Sequence, residues 1–142
     1  MKNILLASFA VILSLFTNLL QAQTDHEEHA DHINYVVLTR SVPQLKPILL
    51  AAEELAAQDG EKFGEFQVVV CGKAVQDLTN KEMMNGFLQK AEKAGVIINA
   101  CGFSLKKFNV KRSGLPETLR VVENGILHNF ELQKKGYLSI EL

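Results

Sequence analysis

Five short apolar runs rich in β-branched residues punctuate the chain, and stretches of helical period separate them. The first, residues 33–39 (INYVVLT), is continuous enough to read as a strand buried on both faces. A helix is expected to begin between Val42 and Lys46, with Pro47 in its first turn, where a missing N–H costs little. Leu45, Ile48, Leu49, Ala52, Leu55 and Ala56 form its apolar stripe, and Gly60 stops it. Residues 66–70 (FQVVV) predict a second strand ending at Cys71-Gly72. Thr79 and Glu82 have capping-box spacing before a helix that carries Met83, Met84, Phe87, Leu88 and Ala91, with Gly95 as its left-handed stop.

Residues 96–100 (VIINA) predict a third strand that runs into Cys101-Gly102, and residues 104–108 (SLKKF) a short helix after it. Residues 119–122 (LRVV) predict a fourth strand. Asn124 then caps a helix with Ile126, Leu127 and Phe130 inward, closed by Lys134-Lys135-Gly136. Residues 137–141 alternate and predict a closing strand at a sheet edge. The order β-α-β-α-β-α-β-α-β implies an α/β fold: a single three-layer α/β/α domain with a mainly parallel sheet of about five strands.

Two segments precede that domain in the 142-residue chain. Residues 1–22 have a basic start, an apolar run from Ile4 to Leu20 and a small residue at Ala22, the pattern of a cleavable signal peptide. A periplasmic or secreted protein beginning at Gln23, with no stable membrane insertion after cleavage, is expected. Residues 23–32 form a polar arm holding His26, His29 and His32 among carboxylates. Imidazoles so placed suit a divalent metal, although on a helix they would fan around the axis, so incidental binding to a solvated tail is expected. No other cofactor is implied. Without Lys2, the fifteen basic residues become fourteen against sixteen acidic, a balance that carries no signature for nucleic acid or a membrane surface.

The candidate chemistry lies in the two cysteines. Cys101 is expected at the carboxyl end of one strand and the amino end of a helix, a sheet edge where ligands bind and where a thiolate is favoured over a thiol. Lys106, Lys107, Lys111 and Arg112 follow it closely and could supply a positive field or simply a solvated face. Cys71 has the same strand-then-glycine setting. Adjacent strands lie about 4.8 Å apart, within the roughly 4.4–6.8 Å Cα separation that a disulfide tolerates. Cys71 could resolve a persulfide or sulfenate on Cys101 if their strands are neighbours, whereas an intervening strand makes a direct disulfide implausible without movement; strand order is not readable from the residues. His128, alone in the last helix, reads as structural or exposed. No P-loop, dinucleotide fingerprint or nucleophile elbow occurs.

In ordered pieces the chain resembles the DsrE/DsrF-like proteins, which include the TusD-type sulfur relay subunits. The pieces are residues 68–75 (VVVCGKAV), 94–96 (AGV), 99–105 (NACGFSL), 111–116, 121–125 (VVENG) and 133–140 (QKKGYLSI). They span residues 33–142, nearly all of the expected mature chain. Many members have His-Gly where Cys71-Gly72 stands, and a polar Asn-Thr pair near the residues that follow Cys101. The resemblance implies a homo-oligomer whose cysteine after the third strand carries sulfur as a persulfide, passed between donor and acceptor proteins whose identity is unknown. Cys101 matches that cysteine. Besides a sulfur carrier or thiol-redox protein, the residues leave open a non-catalytic α/β binding module with structural cysteines, or metal binding through the arm.

Overall fold

The five strands found among the described residues are β1 (Ile33–Thr39), β2 (Phe63–Val70), β3 (Val96–Cys101), β4 (Arg120–Val122) and β5 (Leu138–Glu141). They form one sheet in the order β4-β3-β2-β1-β5, with every neighbouring pair parallel. The structure, a computed structural model, describes residues 32–142. The expected leader and most of the arm, with His26 and His29, lie outside the described residues.

The helices connecting the strands are α1 (Leu45–Asp59), α2 (Lys81–Lys93), α3 (Gly102–Lys107) and α4 (Gly125–Lys134). Because side chains alternate along a strand, the central strands β1 to β3 feed two cores. Val37, Val68, Val70 and Ala100 pack with Leu45, Ile48, Leu49 and Ala52 of α1 and Met84 and Ala91 of α2. On the other face Val36, Leu38, Val69, Cys71 and Cys101 meet Leu132 of α4. The result is the expected three-layer α/β fold, its sheet parallel throughout.

Several local signals act as expected. Pro47 sits in the first turn of α1, Gly60 ends that helix at φ 56°, and Gly95 follows α2 at φ 67°. The expected capping box is replaced. Asn80 is the N-cap of α2, its Oδ1 accepting the Met83 N–H at 3.0 Å, while Thr79 donates its hydroxyl to the Gln76 carbonyl. The cause is a 3₁₀ segment, Gly72–Thr79, that no apolar period announced; it absorbs Thr79 and delays the helix by one residue. The third helix likewise starts at Gly102, two residues before the expected SLKKF stretch, so Cys101 itself is its N-cap residue.

The expected inward face of α4 is wrong. Ile126, Leu127 and Phe130 are exposed by 51%, 54% and 57%. Gly125 and Leu132 are the buried positions, with His128 and Asn129 half-buried between them. These four recur at helical spacing, so the face that meets the sheet is small and polar at its start and apolar only at its end. The helix must come close to the cysteines at Gly125, and that approach turns its larger apolar residues outward.

Candidate functional site

The second and third strands are neighbours, with Val70 paired to Ala100. The next residue on each, Cys71 and Cys101, therefore lies beside the other at the carboxyl edge, on the α4 face of the sheet. Both are free, buried thiols. The question of strand order is thus answered in favour of a close pair.

The two sulfurs have different surroundings. Cys101 Sγ accepts the Gly125 N–H, the first helical amide of α4, at 3.3 Å. Ser104 lies three residues further on, its hydroxyl oxygen accepting the Gly72 N–H at 2.8 Å. Burial pushes the Cys101 thiol up, but hydrogen bonding from Ser104, Gly125 and Cys71 outweighs it and holds Cys101 below its ordinary value. Burial, and next the neighbouring Cys101, push Cys71 up to about 12. The two thiols are therefore unequal, Cys101 being the more readily ionised and Cys71 the less.

Glycine is required where α4 meets this pair. A Cβ on Gly125 would lie 2.5 Å from Cys71 Sγ, 2.8 Å from Val69 Cγ1 and 3.1 Å from Cys101 Cβ. Only a residue without a side chain brings the helix amide within reach of the sulfur. Asn124 fixes the same helix end, its Oδ1 accepting the Ile126 and Leu127 amides at 3.1 and 3.3 Å.

The cysteines form the floor of a cleft of about 370 Å³ whose walls include Arg40, Phe103, Ser104, Lys107 and Ile126. Of the four expected cations only Lys107 lines it, with Nζ 5.8 Å from the Phe108 ring centre. Lys106 pairs with Glu123 at 2.9 Å on the surface. Lys111 and Arg112 are exposed and do not line the cleft. The other cation at the rim is Arg40, one residue past β1, which pairs with Glu141 at 2.9 Å and lies over Gly72, within 3.7 Å of where a Cβ would sit. Arg40, Ser104 and Gly125 were not singled out from sequence. Arg40 could have been, since it follows the first strand as Cys71 follows the second.

His128 takes no part at the sulfurs. Its Nε2 lies 2.8 Å from Gln67 Oε1, which also accepts Asn99 Nδ2 at 2.9 Å. Gln67 in turn donates to Glu65, whose carboxylate accepts the Tyr137 hydroxyl at 2.7 Å. These contacts satisfy the buried polar groups between sheet and α4, the structural role expected for this histidine. His32 is exposed, and no cluster of three metal-ligating side chains occurs among the described residues. A larger cavity of about 640 Å³, lined by Asn85, Gln89, Glu92 and Arg120, holds neither cysteine.

Two solved structures share this fold. MTH1491 of Methanobacterium thermoautotrophicum, a protein of unknown function, aligns with a TM-score of 0.67 at 19% identity, over 79% of this chain and 100% of its own. BT1422 of Bacteroides thetaiotaomicron, a conserved protein of unknown function, aligns with a TM-score of 0.57 at 16% identity, over 76% of this chain and 94% of its own. At these identities the likeness is one of fold. No protein-family model matches the chain, and no curated protein does.

Proposed function

We propose that this chain is a sulfur carrier of the DsrE/DsrF-like kind, with Cys101 as the sulfur acceptor and Cys71 as its resolving thiol. The observation that carries the reading is an adjacent, unequal pair in one cleft: Cys101, whose sulfur accepts the Gly125 N–H, and Cys71 beside it on the neighbouring strand. Loading needs no net oxidation. The Cys101 thiolate attacks the terminal sulfur of a donor persulfide, R–S–SH, forming Cys101–S–SH and releasing R–S⁻. Because Cys101 is held below its ordinary value and Cys71 is pushed up, Cys101 is the more readily ionised nucleophile of the two.

Release uses the neighbour. Cys71 attacks the Cys101 sulfur, expels hydrosulfide, which takes up the Cys71 proton, and leaves a Cys71–Cys101 disulfide. An external thiol then reduces that disulfide by two electrons and resets the pair. The same adjacency supports a second reading, a dithiol–disulfide redox protein that never holds sulfane sulfur. The leader expected at residues 1–22 would place either chemistry in a periplasmic or secreted protein, a compartment in which a disulfide persists.

Mass spectrometry of the protein purified without reductant tests the carrier reading. One added sulfur atom on the Cys101 peptide supports it. A Cys71–Cys101 disulfide that never gains sulfur from any persulfide donor favours the redox reading, and two inert thiols favour a binding module with structural cysteines. Amino-terminal sequencing of the exported form, expected to begin at Gln23, tests the compartment.

A further inference from the structure

The reactive sulfur lies at the bottom of its cleft, and Cys101 as a whole is only 4% exposed. A cleft of about 370 Å³ falls at the small-molecule end of binding sites, which run from about 300 to 1,000 Å³. Two cations stand at its rim from different elements, Arg40 after β1 and Lys107 at the end of α3. Lys107 has no acidic partner among the described residues, and Arg40, held by Glu141 through one nitrogen, retains further guanidinium donors. Between them the lining mixes Ser104 and Asn124 with apolar Phe103 and Ile126, the last two exposed.

Such a site takes a short ligand with a reactive end at the floor and a negative charge at the rim. A guanidinium and an ammonium recognise a carboxylate through charge-assisted hydrogen bonds. Resting on the carrier reading, we infer that the cleft binds the persulfide of a small thiol bearing a carboxylate, with Arg40 and Lys107 holding that carboxylate. Bound this way, the donor offers its terminal sulfur to Cys101. The sulfur–sulfur bond of the donor breaks as the new one forms on Cys101, and the carboxylate-bearing thiolate departs. Arg40 and Lys107 are binding residues in this assignment and touch no reacting atom.

The test compares the persulfides of 3-mercaptopropionate and 3-mercaptopropanol, matched in size and differing in charge. Loading of Cys101 on the full chain is followed by peptide mass. The carboxylate donor should load faster by at least about tenfold, the scale of one hydrogen bond to a charged group, and high salt should shrink the preference. Arg40→Gln and Lys107→Gln should each bring the ratio of the two donors toward one, whereas Lys90→Gln, at an exposed position away from the cleft, should keep it. Equal loading by the two donors in the unaltered protein overturns the inference and leaves the carrier reading standing. So does a preference that neither rim substitution changes, or loading only from a protein-borne persulfide. No loading from any donor overturns the carrier reading together with the inference.

Discussion

Replacing Gly125 with alanine separates the activation of Cys101 from its mere presence. The added Cβ would sit 2.5 Å from Cys71 Sγ and 2.8 Å from Val69 Cγ1, against an ordinary contact of about 3.5–4.0 Å. Neither partner is the far end of a flexible chain, so the amino end of α4 must retreat by roughly 1 Å. The Gly125 amide is already 3.3 Å from Cys101 Sγ, and that retreat takes it out of hydrogen-bonding reach. A hydrogen bond to a charged group contributes about 1.5–3 kcal/mol. At about 1.4 kcal/mol per decade, the thiolate-to-thiol ratio below the titration range should fall roughly ten- to a hundredfold. Overpacking costs about 1–3 kcal/mol, partly offset by at most about 1 kcal/mol of helix propensity, so stability should drop by up to about 3 kcal/mol. Iodoacetamide alkylation of Cys101 against pH, with urea unfolding of the same samples, measures both quantities. An alanine variant with the wild-type alkylation profile would refute the claim that the helix amide holds the thiolate, whatever its stability.

Other consequences are as direct. At neutral pH alkylation should modify Cys101 and spare Cys71 until the protein is unfolded; Cys101→Ser should abolish sulfur loading, while Cys71→Ser should load and then release sulfur more slowly. Tyr35, bonded to Asp59, and Tyr137, partly desolvated and bonded to Glu65, are each pushed up to about 12, as burial pushes Cys71. All three favour the protonated form in the folded state, so their stabilisation is complete below the ordinary values of 9.0 and 10.0 and is lost as pH rises toward about 12. Urea midpoints should fall across that window, and a midpoint flat from pH 9 to 11 would contradict the assignment. Light scattering should give more than a monomer mass, and Phe130→Glu on the exposed face of α4 should lower it; a monomer at high concentration would count against the proposed family likeness.

Much of this was legible because the pattern was strong. The strands were found from runs such as VVV and VII, whose β-branched residues fit a sheet covered on both faces. Cys101 was found because a cysteine at a strand–helix junction has a physical consequence. What escaped was whatever depends on contacts between distant residues. The outward turn of Ile126, Leu127 and Phe130 follows from Gly125 seating against two cysteines, and no periodicity within the helix encodes that. The adjacency of Cys71 and Cys101 required strand order, and Arg40 became part of the cleft only because β1 lies beside β2. Local signals also misled where an unmarked 3₁₀ segment moved the cap from Thr79 to Asn80.

The position of β5 bears on when the surroundings of the cysteine pair are completed during synthesis. Strands β1 to β4 are laid down in spatial sequence, each beside the one before it, so they can pair as they emerge. The outer edge of β1 has to wait for β5, since Tyr35 pairs with Leu138 more than a hundred positions later. Until then it presents unpaired backbone groups, a hazard for mispairing with other chains. The connection that delivers β5 is α4, which also brings the Gly125 amide to Cys101. A nascent or truncated chain ending before Gly125 therefore carries both cysteines without the amide that Cys101 Sγ accepts, and the surroundings of that sulfur are complete only once the sheet is closed.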